Sequence, residues 1–150
     1  MDETLLVNQI ATYERSIAGV KNSFAYAQNP DVLPSAALPA VIHYCPSFAS
    51  TTRANFNVWK NTIVVKSILF VAPRQSQGGK IKYLENAAIP FGQLWRAKFQ
   101  DATVIQALLS VTGGVKVFLE AGDYGVGGNL LRFGDADFIG WVFSWNCESA

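Results

Sequence analysis

The sequence predicts an α+β domain, an antiparallel sheet packed on one face by an N-terminal helix and a central helical region, with a strand at the C-terminus. Three observations carry that prediction. In the closing stretch FIGWVFSWNCES, Ile139, Trp141, Phe143, Trp145 and Cys147 alternate with Phe138, Gly140, Val142, Ser144, Asn146 and Glu148, the period-two signature of a strand with one apolar face. Near the start, Leu6, Ile10, Tyr13 and Ile17 recur at helical spacing, and from Tyr83 to Phe99 the apolar residues step at the same period. The order is therefore helix, strands, helices, strands, which is α+β and not a regular βαβ alternation.

Taken in order, Asp2 can cap the first helix, with Glu3 in its first turn, and Gly19 marks its end. Val20 to Tyr26 reads as extended. Pro30, Pro34 and Pro39 rule out regular structure across QNPDVLPSAALP. Ala40 to Cys45 is apolar on both faces, as in a central strand, and Pro46 is expected to end it. The stretch ANFNVWKNTIVVKSILFVAP reads as two antiparallel strands joined near Lys60 and Asn61, with Ile63, Val65, Leu69 and Val71 sharing one face of the second. The polar segment Arg74 to Lys80 has no apolar residue to bury and is expected to project into solvent. Pro90 is expected to kink the central helix or to start a second one, and Asp101 to cap a further helix through Leu109. Val115 to Ala121 alternates as a strand, and AGDYGVGGN from Ala121 to Asn129 reads as a turn region before the last strand.

Composition bounds the function. The 150 residues fit one domain, 1–150, and a chain of this size buries roughly 70% of its unfolded surface without staples. Half of the residues are hydrophobic and 15% are charged, against about 25% in ordinary domains, which leaves neutral or apolar surface for a partner to cover. The net charge of +1, with Lys and Arg spread along the chain, lacks the basic footprint of a nucleic-acid binder. No apolar run approaches the roughly 18 residues that span a bilayer. MDETLLVNQI opens on acids, unlike a secretory signal, so Cys45 and Cys147 are expected as free thiols.

Each candidate for chemistry has a simpler reading. AGDYGVGGN has the order GxxGxGG rather than GxGxxG and lacks a surrounding βαβ unit, so no dinucleotide cofactor is expected. His43 is the single histidine; with Cys45 two residues on it supplies too few ligands for a metal, and a core histidine is expected. Pairing His43 with Cys45 or Cys147 for nucleophilic catalysis lacks any local signature. Asp123, Asp135 and Asp137 flank the glycine-rich loop, where acids usually cap turns. Arg53, Lys60, Arg74, Lys80 and Lys82 are interleaved with polar rather than stacking residues and read as solvated charge.

The passages GVKNSFAYAQNPDVLPSAALPAVIHYCP, the hairpin Ala54 to Val71, and GGNLLRFGDADFIGWVFSWNCES, with the step Phe138, Ile139, Gly140 and Trp141, carry a resemblance that spans nearly the whole chain. The chain resembles the tail terminator and head-tail joining proteins of long-tailed bacteriophages, small α+β subunits that assemble as sixfold rings. The resemblance implies a structural virion protein without catalysis or cofactor. Such a subunit is made in the host cytoplasm, pairs with itself in a hexameric ring, caps the tail tube protein, and joins it to the neck and connector proteins. Within that resemblance, exposure singles out Arg74, Gln75, Gln77 and Lys80 for a subunit or tube contact, with Arg53 and Lys60 near the hairpin. The alternative is a small-ligand-binding α+β module with an apolar pocket lined by aromatics around Trp95, Trp141 and Trp145. A hydrolase using His43 or the loop acids is a third class.

Overall fold

The computed structural model describes residues 2–25, 33–52, 59–73, 86–113, 116–125 and 131–149. Helix α1 (Glu3–Arg15) is followed by strand β1 (Asn22–Phe24), a short 3-10 turn at Ser35–Ala37, and the long strands β2 (Ala40–Thr52) and β3 (Trp59–Pro73). Helices α2 (Pro90–Phe99) and α3 (Ala102–Thr112) come next, then β4 (Lys116–Gly125), β5 (Leu131–Phe133) and β6 (Ala136–Ser149). The fold is α+β. The six described strands form one sheet in the order β1-β2-β3-β6-β4, with β5 paired to β6. All pairings are antiparallel except β1 with β2, which makes the sheet mixed.

The sequence explains where the helices begin. The Asp2 carboxylate accepts from the Leu5 amide at 3.1 Å, and Asp101 accepts from the Thr103 amide at 2.8 Å, each satisfying a donor that the helix itself leaves free. Those bonds also hold the Asp101 carboxyl below its ordinary range. Pro90 opens α2, because a residue without an N–H loses nothing in a first turn. Helix α1 ends at Arg15, earlier than Gly19 suggests; residues 16–19 continue as turns, and Gly19 takes the left-handed φ of 90°. Helix α3 runs three residues past Leu109 and stops at Gly113, whose φ is 64°.

The strands correct the sequence reading in three places. Pro46 does not end β2: the ladder with β3 shifts register between Tyr44 and Ser47, so the proline falls in a bulge, where its missing N–H costs no ladder bond. Lys60 and Asn61 do not form the turn of a hairpin. They lie within β3, opposite Thr51 and Ser50 of β2, and β3 pairs with β2 on one side and β6 on the other, while 54–58 of the predicted hairpin lie outside the described residues. The residues Ala121 to Gly125 belong to β4 and pair with β6, so the first half of the glycine-rich stretch is strand; 126–129 lie outside the described residues. The extended reading of Val20 to Tyr26 is met by β1, but Tyr26 also lies outside them.

Alternation in β6 sorts the residues as the sequence predicts. Ile139, Phe143, Trp145 and Cys147 are buried toward the helices, with Trp141 packed at the margin. Ile63, Val65, Leu69 and Val71 of β3 share that face. Phe143 stacks between Trp95 of α2, at 4.6 Å between ring centroids, and Trp141, at 5.7 Å. Phe99 meets Trp145 edge-on at 4.5 Å. The terminal aromatic run is thus a column against which α2 docks. Glycine permits the close fit twice: a Cβ on Gly140 would lie 1.8 Å from the Leu69 carbonyl oxygen, and one on Gly92 would lie 2.7 Å from the Trp141 ring. On the opposite face a smaller core gathers Leu38, Ala40, Ile42, Phe70 and Phe138, with Phe133 edge-on to Phe70.

Candidate functional site

Two features of the helix face stand apart from ordinary packing. The first is a buried polar cluster centred on Glu14. Glu14 follows Val7, Ile10 and Ala11 on the inward stripe of α1 and is fully buried. Its Oε2 accepts from Ser23 Oγ of β1 at 3.0 Å and lies 2.6 Å from His43 Nε2 of β2, while its Oε1 accepts from Trp95 Nε1 of α2 at 3.2 Å. His43 Nδ1 lies 2.6 Å from the Phe24 carbonyl oxygen. Both ring nitrogens face acceptors, which assigns the doubly protonated imidazolium. Burial alone would push His43 down, but the Glu14 carboxylate and the two hydrogen bonds outweigh it and raise the pKa above the ordinary 6.5.

This cluster connects four elements and has no opening. Ser23 donates to the carboxylate rather than to the imidazole, and Ser23, His43 and Glu14 are all buried, so the nucleophile and base relation of a hydrolase is not formed. His43 is the core histidine that the sequence suggests. Glu14 was missed: its spacing from Val7 and Ile10 places it on the apolar stripe, and that was the available signal.

The second feature is a cleft of about 720 Å³ between α2, the start of α3 and β4. Phe118, Leu119 and Gly122 of β4, Trp141 and Phe143 of β6, and Ile89, Phe99 and Ile105 of the helical layer give it apolar walls, and Gln93, Arg96, Gln100 and Glu120 supply polar edges. Trp141 Nε1 is already committed to the Ala88 carbonyl at 2.9 Å, so the indole shows the cleft its ring surface. Of the three tryptophans suggested for a pocket, Trp141 alone lines this cleft; Trp95 and Trp145 are sealed in the core. Trp145 Nε1 donates to the buried Ser67 hydroxyl at 3.0 Å.

The remaining candidates are dispersed. Arg53, Arg74, Gln75, Gln77, Lys80 and Lys82 lie outside the described residues. Lys60 sits in β3 with its Nζ 3.0 Å from Glu148 of β6, a cross-strand ion pair. Asp123 stands opposite Val142, and Asp137 opposite Arg132, so their backbone positions are offset by five residues along β6, roughly 17 Å. Asp135 lies in the exposed turn between β5 and β6. Cys147 is buried beside Cys45 and both are free thiols; burial pushes Cys147 up to about 12. Among the described residues, no group of His, Cys, Asp and Glu is arranged to hold a metal ion, and no helix is long and apolar enough to cross a membrane. No family model and no curated protein matches the chain.

Proposed function

We propose that this chain is a structural subunit of the neck and tail junction of a long-tailed bacteriophage, one that closes into a ring, caps the tail tube and joins it to the head connector. The observation that carries the reading is the surface of β2 beyond its bulge. Ser47, Phe48, Ala49 and Ser50 are exposed, contain no charge, and present an aromatic ring that is 76% accessible. Tyr44 on the same strand is 44% accessible. A neutral strand surface with a bare phenylalanine is costly for a monomer and suited to permanent coverage by a neighbour. The α+β order and the sparse charge agree with the resemblance in the sequence. The buried Glu14 cluster serves this reading as a brace within the subunit, and the subunit needs no cofactor.

Light scattering on a sizing column tests the proposal. The expected mass is a whole multiple of the 16.4 kDa chain, six for the sixfold ring that the resemblance implies. A strictly monomeric chain at high concentration, alone and with tail tubes, contradicts it.

The cleft beside β4 favours a second reading, a module that binds a small apolar ligand against Trp141 and Phe143. Its volume lies in the range of known ligand sites. Native mass spectrometry of protein purified without added ligand separates the two: a retained small molecule supports the module, and a bare chain argues against it.

A further inference from the structure

The sheet has two unpartnered edges among its described strands, and they differ. On one side, β1 covers β2 at Ala40, Val41 and Ile42, and among the described residues no strand covers the outer edge of Ser47–Thr52. On the other, β4 is the terminal strand, and Glu120, Ala121, Gly122 and Asp123 are exposed along it. Open strand edges are templates for pairing unless something covers them.

We infer that the open edge of β2 in one copy pairs antiparallel with β4 of the next, placing Phe48 in the cleft beside Gly122. The inference rests on the proposed ring and names the contact that builds it.

Strand sense is the first support. Since β2, β3, β6 and β4 are successive antiparallel neighbours, β2 and β4 run in opposite directions. A neighbour added in the same orientation therefore brings its β2 antiparallel to β4, with no inversion of the subunit. Such a contact joins unlike surfaces head to tail and closes a ring when the rotation permits.

Facing is the second. Phe48 lies directly opposite Ile63, which lies opposite Cys147, and both of these belong to the helix-side core. In a continuous sheet the Phe48 ring would project on the helix side of the neighbour, which is the side on which Phe118 to Gly122, Trp141 and Phe143 form the cleft.

Space is the third. Gly122 has no side chain at this edge, and the Phe143 ring lies 3.0 Å from where its Cβ would be. The Phe143 ring already packs over that glycine, so an incoming Phe48 would lie against the Phe143 and Trp141 rings at the cleft wall, with no Gly122 side chain in its way. Charge does not oppose the match: Glu120 and Asp123 flank the β4 edge, whereas Ser47–Thr52 carries no charge. The acids can discourage pairing of β4 with another β4 while admitting β2.

The test uses the full chain in three forms: wild type, Phe48→Asp, and a form carrying the photo-reactive benzoylphenylalanine at position 48. Light scattering should give rings for the wild type and monomers for Phe48→Asp, with an unchanged near-ultraviolet circular dichroism spectrum and melting temperature showing that the subunit is intact. Irradiation should yield dimers cross-linked from position 48 to peptides containing Phe118 to Gly122 or Trp141 to Phe143. Wild-type rings that persist in Phe48→Asp, or that cross-link elsewhere, overturn this contact and leave the ring reading standing. A wild type that stays monomeric at high concentration, alone and with tail tubes, overturns both.

Discussion

His43 Nε2 and Glu14 Oε2 lie 2.6 Å apart with both side chains fully buried, joining β2 to the inner face of α1. Arg15, the other nearby charge, is turned to the Ser23 carbonyl and the Thr12 hydroxyl and works slightly against the imidazolium. Removing one partner leaves the other as an uncompensated buried charge. Glu14→Ala is therefore expected to destabilise the fold by about 3–5 kcal/mol, measured by urea denaturation.

The same pair sets a pH dependence. His43 has a raised pKa in the folded chain, so its contribution is complete below the unfolded value of 6.5 and is lost as pH rises through the folded value. The urea midpoint should fall as pH rises from about 6 to about 7.5, a window kept below thiol ionisation, and a His43→Gln variant should flatten that slope. A wild-type slope retained in the variant would assign the proton uptake to another group.

The aromatic column gives a contrast in mutational cost. Trp145→Ala removes a buried ring packed on Phe99 and strands the Ser67 hydroxyl, and should cost about 3–5 kcal/mol, a fall of roughly 10 °C or more in melting temperature. Trp141→Ala, at the margin of the cleft, should cost less. Measured in subunits dispersed to monomers, Phe48→Ala should stay within about 0.5 kcal/mol of wild type.

Gly140→Ala tests the close approach of β6 to β3. The obstacle is the Leu69 backbone, which has no alternative rotamer, so the expected outcome is failure to accumulate folded protein. Normal yield and melting behaviour would show that the strands can separate locally.

The two thiols should react unequally. Cys45 is part-exposed, whereas burial holds Cys147 at a pKa of about 12. A thiol reagent near neutral pH should label Cys45 first, and Cys147 only as the chain unfolds. Equal rates would contradict the burial of Cys147.

What was legible in the sequence were features set by local rules. Period-two alternation placed Trp145 and Phe143 on one face, Asp101 marked a helix start because its carboxylate reaches amides two and three residues on, and Pro90 could open a helix but not continue one. What was not legible depends on partners distant in sequence. Pro46 is tolerated because β3 shifts register opposite it, and Lys60 is strand because β2 lies beside it. Glu14 reads as an interruption of an apolar stripe until Ser23, His43 and Trp95 arrive from three other elements. The cleft was only partly legible, since alternation places Trp141 and Trp145 on one face, and it is the position of the helices that leaves Trp141 at the cleft and seals Trp145 in the core.

Negative-stain imaging of the purified chain tests the central claim most directly. The account predicts closed rings with a central hole, built of identical subunits joined head to tail. A field of single particles of subunit size at high protein concentration, unchanged by tail tubes, would contradict it.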